Sequence, residues 1–214
     1  MRLHITTYFS AIAFSTVFLA CSDNGEKKLP IIGERTIEER LVDGETVIDT
    51  AYHQIPAFTF TNQDSLQITD RDFDNKVYVA NFFFTHCPSI CPTMQRNLLK
   101  VYEKYHGDER VAFLSHSIDF KYDSPSVLKS YAAKLGVTND QWQFVTGNKK
   151  DIYGIAEKYL VYTNEDASAP GGYDHQSYLV LIDGQKRIRG AYDGTNDEQV
   201  SQLFGDLEIL LNEQ

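Results

Sequence analysis

Two of the three cysteines in this 214-residue chain, Cys87 and Cys91, lie in the segment FFFTHCPSICP (82–92). Two thiols at this spacing can close into a disulfide, exchange disulfides with another protein, or hold a metal ion between their sulfurs. The common redox motif Cys-x-x-Cys has one residue fewer between its cysteines than this chain has. A metal site, for its part, needs more ligands than two thiolates. The spacing by itself therefore leaves a redox pair, a metal clamp and a structural disulfide open.

The elements on either side of the pair favour reactive thiols. The continuous apolar run 76–84 predicts a central strand buried on both faces, and apolar residues at helical spacing predict a helix over 92–105. Pro92 is then the first helical residue and Cys91 the cap, beside unpaired backbone N–H groups at the positive end of the helix dipole. We therefore expect this position to lower the pKa of the Cys91 thiol and to favour its thiolate.

The pattern along the whole chain predicts the sheet that positions these residues. Strands that alternate with helices imply an α/β fold with a mixed central sheet and helices on both faces, the three-layer thioredoxin-like plan. The cysteines fall at the carboxyl end of a strand, where such sheets build their sites. The predicted strands are 36–42, 45–51, 76–84, 110–118, 176–183 and 186–192, with a hairpin in 57–69 whose inward side chains are Phe58, Phe60, Leu66 and Ile68, and the predicted helices are 92–105, 126–135, 152–159 and 196–211.

A third ligand is predicted among the six histidines. His175 follows the adaptable glycines Gly171 and Gly172, and it precedes the strand expected to lie next to the cysteine-bearing strand. The loop that carries it should therefore face the cysteine turn. His86 directly precedes Cys87 and should point the opposite way, and His116 lies within a strand, where a structural role is more common.

The set Cys87, Cys91 and His175 offers two soft thiolates and one imidazole. Such a set suits copper, notably three-coordinate Cu(I), and also zinc with a water in the fourth position. Met94, one turn beyond Cys91, is predicted to lie in the core rather than to bind metal.

The N-terminus has the layout of an export signal. Arg2 precedes an apolar stretch that ends at Cys21 in FLAC, which resembles a bacterial lipoprotein cleavage site. We predict that residues 1–20 are a lipoprotein signal peptide and that Cys21 is lipidated; an ordinary signal peptide or a retained anchor is the alternative. With Cys21 lipidated, a structural disulfide is the weakest reading of the remaining cysteine pair.

The mature chain is predicted to divide into an anchor region and a single domain. Residues 21–52 form a tether and an added N-terminal β-hairpin around Asp43-Gly44, a strong turn signal, and residues 53–214 form the main domain. This organisation predicts a lipid-anchored protein of the cell envelope with its domain on the periplasmic side. The net charge of −10 argues against nucleic acid as a partner.

Four segments resemble the Sco/SenC family of copper-binding cytochrome c oxidase assembly proteins: NFFFTHCPSICPTM, LSHSIDFKYDSPSVLKSYAAKLG, WQFVTG and DHQSYLVLIDGQKRIRGAYDG. The resemblance runs from about residue 55 to the C-terminus and includes a Cys-x-x-x-Cys-Pro turn followed by a distal histidine. It implies a membrane-anchored thioredoxin-like fold in which Cys87, Cys91 and His175 bind copper, as Cu(I), Cu(II) or both. It also implies help in building the binuclear copper centre of the oxidase's second subunit.

The chain departs from the family pattern at two positions. Asp119 is kept after the second central strand, but Phe120 follows it where the family usually has proline, so the local turn is expected to differ. Gln176 follows His175 where the family often has serine. Neither change removes a ligand. Asp119 is a candidate for positioning the ligands without binding the metal itself.

Three functions compete at this point. The first is a monomeric copper chaperone, not an enzyme, that passes one copper to cytochrome c oxidase subunit II or a similar acceptor. The second is a membrane-anchored thiol–disulfide oxidoreductase, in which Cys87 and Cys91 form a redox-active disulfide and keep the oxidase's copper-ligand cysteines reduced. The third is a peroxide-detoxifying or redox-signalling protein with Arg96 as a supporting cation. The ligand set favours the first, and the wide cysteine spacing weakly disfavours the second.

Overall fold

Strands alternate with helices along residues 28–213, the part of the chain that the computed structural model describes. The strands are β1 Arg35–Val42, β2 Glu45–Tyr52, β3 Thr59–Asn62, β4 Gln67–Thr69, β5 Val77–Phe83, β6 Val111–Ser117, β7 Trp142–Thr146, β8 Thr163–Glu165, β9 Tyr173–His175, β10 Tyr178–Ile182 and β11 Ile188–Asp193. The α-helices are α1 Cys91–Lys104, α2 Pro125–Leu135, α3 Lys149–Lys158 and α4 Asp197–Asn212.

A seven-stranded mixed sheet forms the centre of the fold, in the order β11-β10-β5-β6-β7-β3-β4. The three central strands β5, β6 and β7 run parallel, and the strands on either side of them pair antiparallel. Every residue of β5 and β6 is buried, as expected of continuous apolar runs in the middle of a sheet covered on both faces. The strand β10 pairs with β5, so the strand after His175 does lie beside the strand that leads to the cysteines.

Helices cover both faces of this sheet. Successive residues of a strand point to opposite faces. In β5 the Phe83 ring meets Tyr131 of α2 at 5.3 Å between ring centroids, whereas the Phe82 ring meets Tyr159, just beyond α3, at 5.7 Å. The parallel strands β5, β6 and β7 are neighbours in that order, so the right-handed connections through α1 and α2 place both helices on the same face. Helix α4 packs against α1. The three-layer thioredoxin-like architecture predicted from the sequence is therefore confirmed.

The added N-terminal hairpin is also present. The strands β1 and β2 pair along their whole length, and the turn between them has positive φ at both Asp43 and Gly44. Such a turn matches the twist of the two strands, which is why Asp-Gly is a strong hairpin signal. Ile37, Leu41 and Ile48 are exposed on it, so the hairpin contributes nothing to the core.

Two features of the predicted sheet were wrong. Leu66 was expected to face inward, but it is 60% exposed because it lies in the turn between β3 and β4. The side chain of Asn62 accepts hydrogen bonds from backbone N–H groups of that turn. The strand β7 was not predicted at all, since five residues between two helices are too few to show a clear period. It lies between β6 and β3 and completes the sheet.

A fully buried histidine, His116 of β6, lies among aromatic rings on the face that α3 covers. The Phe82 ring stacks on it at 4.7 Å between centroids, and Phe60 and Tyr159 approach at 5.5 and 5.4 Å. Neither imidazole nitrogen has a hydrogen-bond partner among residues 28–213. Burial lowers the pKa of His116 to about 3, because an imidazolium there would lose its water of solvation, and the Asn81 backbone opposes this effect only in part.

Lowering the pH from 7 to 5 is expected to cost about 2 kcal/mol of unfolding free energy through His116 alone. In the unfolded chain the imidazole binds a proton near its ordinary pKa of 6.5, whereas the folded protein excludes that proton until the pH falls to about 3. The contribution of His116 is therefore complete above pH 6.5 and is lost progressively between pH 6.5 and 3.

Urea unfolding of the wild type and of His116→Leu at pH 7 and pH 5 measures this contribution. Carboxylates titrate alike in both proteins, so the free energy of unfolding should fall less in the variant, by about 2 kcal/mol. An equal fall in both proteins would show that His116 does not carry the pH dependence.

Candidate metal centre

Three side chains from distant parts of the sequence meet at the carboxyl end of β5. Cys87 follows β5 in a loop, Cys91 is the first residue of α1, and His175 is the last residue of β9. Their sulfur and nitrogen atoms all lie within 4.8 Å of one another, and Cys91 Sγ is 3.3 Å from His175 Nε2. Both cysteines are free thiols. The structure thus brings together the residues predicted from the sequence, while metal binding by them stays a prediction.

His175 is held in place by a short strand rather than by the loop expected from the sequence. It is buried, and in the antiparallel pair of β8 and β9 it lies opposite Thr163. Its Nδ1 is 3.1 Å from the carbonyl oxygen of Gln176, which can only accept a hydrogen bond. The ring proton is therefore held on Nδ1, and the lone pair of Nε2 faces Cys91. The imidazole is already oriented as a ligand.

Gly171 lets the chain ahead of β9 approach the cysteine turn closely. Its φ is 79°, and a Cβ there would lie 2.7 Å from the Phe84 ring and 3.2 Å from Pro88. Both the left-handed backbone and the missing side chain are therefore needed at this position. This agrees with the part that the glycines before His175 were expected to play.

The two thiols differ in acidity in the sense opposite to our prediction. The interaction with Cys91 lowers the pKa of Cys87 well below its ordinary range, against the effect of burial. The same interaction, followed by burial, raises the pKa of Cys91. The helix also begins one residue earlier than predicted, so Ile90 is the cap and Cys91 is helical and almost fully buried. Cys87 therefore loses its proton first, and its negative charge opposes ionisation of Cys91.

Asp123, which was not predicted from the sequence, fixes the loop that carries the cysteines. Its buried carboxylate accepts hydrogen bonds from the Thr85 backbone N–H at 3.0 Å and from the Thr85 hydroxyl at 2.5 Å. It also accepts one from the Ser117 hydroxyl at 2.5 Å. Asp123 thereby ties the end of β5 to the end of β6. Its place between a predicted strand end and a predicted helix start, where acidic residues stabilise turns, is the signal that could have found it.

Asp119 is buried, and its partners do not include Cys87, Cys91 or His175. Its carboxylate accepts from two backbone N–H groups of the following turn, at 3.1 and 3.0 Å, and lies 3.5 Å from His86 Nε2. Burial and a hydrogen bond to Asp119 raise the pKa of Tyr173, which precedes His175 by two residues. The role of Asp119 in positioning the ligands stays a prediction, which its contacts with His86 and Tyr173 support.

The other candidates considered from the sequence lie outside the cluster. His86 is exposed at its edge, His116 is in the aromatic core, and Met94 is fully buried. Arg96 is exposed on α1, where its guanidinium donates to the Thr93 hydroxyl at 3.1 Å. Among residues 28–213, only the group of Cys87, Cys91 and His175 brings three or more His, Cys, Asp or Glu side chains together in metal-binding geometry.

The donor set fits a soft or borderline metal ion. Two sulfurs and one imidazole nitrogen suit three-coordinate Cu(I), because this soft ion prefers thiolate ligands. A structural zinc ion would take a fourth protein ligand, and no further His, Cys, Asp or Glu of the described residues joins the group. The chemistry of the residues present therefore favours copper over a closed zinc site.

A family model described as SCO1/SenC matches residues 48–210, well over half of the chain. The chain belongs to the SCO1/SenC family. The resemblance that the cysteine turn and the distal histidine indicated is therefore confirmed, and all three ligand candidates fall inside the matched residues. The hairpin β1–β2 lies largely ahead of them.

Solved structures of SCO1/SenC proteins share this fold. A SCO1/SenC family lipoprotein from Bacillus anthracis str. Ames is 27% identical with a TM-score of 0.68, covering 74% of this chain and 95% of that one. BsSco, described as a Sco family cytochrome c oxidase assembly protein with a disulfide switch, is 26% identical with a TM-score of 0.65, covering 76% and 95%. Bradyrhizobium japonicum ScoI, solved with copper bound, is 23% identical with a TM-score of 0.61, covering 72% and 98%.

The signal segment 1–20 and Cys21 lie outside the described residues. Within residues 28–213, none of the helices combines the length and the apolar character that a membrane span requires.

Proposed function

We propose that this SCO1/SenC protein is a copper chaperone that binds one copper ion through Cys87, Cys91 and His175. The observation that carries the proposal is the convergence of their donor atoms within 4.8 Å, with both thiols free. Family membership supports it, since one relative is solved with copper bound and another is described as a cytochrome c oxidase assembly protein. The acceptor we propose is the binuclear copper centre of cytochrome c oxidase subunit II.

Transfer would proceed by exchange of ligands. A three-coordinate ion can accept an incoming thiolate before any of its own ligands leaves. Cys87 is the more exposed of the two cysteines, at 7% against 1% for Cys91, so we expect the acceptor to displace it first. Cys91, the most buried of the three, and His175, oriented by the Gln176 carbonyl, would hold the ion until the exchange is complete.

Thiol–disulfide exchange is a second function that the geometry of two adjacent free thiols favours. The Cys87 thiolate would attack a disulfide of the partner and form a mixed disulfide, with release of one partner thiolate. Cys91 would then attack the Cys87 sulfur, which releases the second partner thiolate and leaves a Cys87–Cys91 disulfide. The oxidase's copper-ligand cysteines would be reduced in this way, at the expense of two electrons from the pair.

The location of the protein is part of the proposal. Removal of residues 1–20 and lipidation of Cys21 would anchor the chain in the cell envelope, with 21–52 as tether and hairpin and 53–214 as the copper-binding domain on the periplasmic side. The layout of the N-terminal residues supports this, as does the relative from Bacillus anthracis that is described as a lipoprotein.

A Cu(I) competition titration against a chromophoric chelator tests the chaperone proposal. We expect the reduced wild type to bind one Cu(I) and His175→Ala to bind it more weakly by roughly tenfold to a hundredfold, since one of three ligands is lost. His86→Ala, which removes a neighbouring histidine outside the cluster, is the matched control and should bind like the wild type. A reduced wild-type protein that takes no Cu(I) from the chelator would refute the proposal.

A disulfide-reduction assay on the same proteins separates the two functions. Steady dithiol-dependent reduction of a target disulfide, undiminished in His175→Ala, would favour the oxidoreductase. Copper affinity that depends on His175 without such turnover would favour the chaperone.

A further inference from the structure

A groove beside the cysteines separates α1 from α2, and the function proposed above uses none of its lining except the cysteines. Its volume is about 350 Å³. Apolar side chains from both helices and from the end of β5 line it, among them Phe84, Leu99, Tyr131 and Leu135. Cys87 and Cys91 also line it. We call this cavity the α1–α2 groove.

The charged side chains of the α1–α2 groove are both basic. Arg96 and Lys134 line it and are exposed, and no Asp or Glu lines it. Among the described residues neither cation takes part in an ion pair, and the Arg96 guanidinium donates a hydrogen bond to the Thr93 hydroxyl. The chain as a whole carries a net charge of −10, so two cations without a neighbouring carboxylate in the groove lining differ from its overall composition.

A buried amide also borders the groove. The Gln95 side chain lies on α1, and it is 1% exposed. Neither its amide nitrogen nor its amide oxygen has a hydrogen-bond partner within residues 28–213. Leaving both groups unpaired costs free energy that a bound chain could recover, once the Gln95 side chain turns outward to meet backbone N–H and C=O groups.

We propose that the α1–α2 groove docks an acidic, extended segment of the copper-accepting partner. An apolar side chain of that segment would fill the groove, its carboxylates would face Arg96 and Lys134, and its backbone would pair with the Gln95 amide. The charge of the rim selects an acidic segment, because a basic one would meet two unpaired cations at close range. A cysteine of the bound segment would then lie beside Cys87. This inference rests on the proposed function and names the partner's recognition chemistry.

The probe is a fluorescein-labelled nine-residue peptide with four glutamates, a central leucine, and serine in place of cysteine. Its binding to reduced, copper-free protein is followed by fluorescence anisotropy at low salt. We expect Arg96→Glu/Lys134→Glu to weaken binding roughly tenfold. The matched control, Lys150→Glu/Lys158→Glu, changes the net charge by the same amount on α3 and should leave the affinity unchanged within about twofold.

Two further arms test the apolar and amide contacts. A peptide with glycine in place of leucine should bind more weakly, and lysine in place of glutamate should abolish binding. Gln95→Leu should raise the free energy of unfolding, since a buried unpaired amide is removed, and yet weaken binding of the glutamate peptide. No binding of the glutamate peptide, or equal loss in both charge variants, would overturn the proposal.

The outcome is independent of copper, because the serine peptide can neither receive the ion nor exchange a disulfide. A failed copper titration with successful peptide binding would refute the chaperone function and keep the docking groove. Normal copper binding without peptide binding would refute the groove and keep the chaperone.

Discussion

Replacing Cys87 and Cys91 together by serine is expected to lower the affinity for Cu(I) by on the order of a thousandfold or more. Both soft ligands of the proposed site are lost, and the remaining imidazole of His175 cannot hold Cu(I) against a competing chelator. The effect should exceed that of His175→Ala, because two of the three ligands are lost and both are thiolates. Oxidation of the wild type to a Cys87–Cys91 disulfide should have the same consequence without any substitution.

The measurement is a Cu(I) competition titration on reduced wild type, oxidised wild type and the double variant. Met94→Leu is the matched control, because it removes the other sulfur of α1 from a fully buried core position. Its copper affinity should equal that of the wild type. A double variant that keeps its affinity, or a Met94→Leu protein that loses it, would show that copper is held elsewhere.

Replacing Arg189 by alanine is expected to lower the free energy of unfolding by about 3 kcal/mol. The guanidinium is 5% exposed and pairs with Asp183 at 3.0 Å and with Glu213 at 2.6 Å. It also donates to the carbonyl oxygens of Leu29 and Pro30, at 2.7 and 3.1 Å. Its removal leaves buried acceptors without their cation, which costs more than the pair itself contributes.

Arg187→Ala is the matched control for this prediction. The Arg187 guanidinium pairs with the same carboxylate of Asp183, at 2.7 Å, but its side chain is 22% exposed and has no contact with the N-terminal segment. We expect its removal to cost about 1 kcal/mol. Urea unfolding at pH 7 compares the two variants. Equal losses of unfolding free energy in the two variants would show that the contacts of Arg189 with Glu213 and residues 29–30 add nothing to the stability.

Arg189 also gives the tether a fixed starting point on the domain. Leu29 is buried and its backbone N–H donates to Glu213 at 2.7 Å, so residues 29–30 are fastened to the end of α4 and to β11. If Cys21 is lipidated as proposed, few residues separate the lipid from this contact. The contact would therefore restrict how the domain sits above the membrane.

The sequence predicted the central elements because their signals are local. The run 76–84 is apolar at every position of β5 except Asn81, and such a run is buried wherever it lies in a mixed sheet. His175 was found differently, from the expected order of strands in the sheet, which places it opposite the cysteine turn. The strand β7 and the exposed Leu66 were not predicted correctly, because a five-residue strand and a turn residue depend on their neighbours in space.

The sequence by itself determined which residue types could bind copper and the elements that present them, since spacing and periodicity are properties of neighbouring residues. Only the tertiary structure decided which thiol is the more acidic, because the interaction between Cys87 and Cys91 lowers the pKa of one and raises that of the other in a geometry that the loop before α1 sets. It also decided the support from Asp123, the α1–α2 groove and the contacts of Arg189. Each of these joins groups far apart in the sequence, and their burial and charge arise only when the chain has folded.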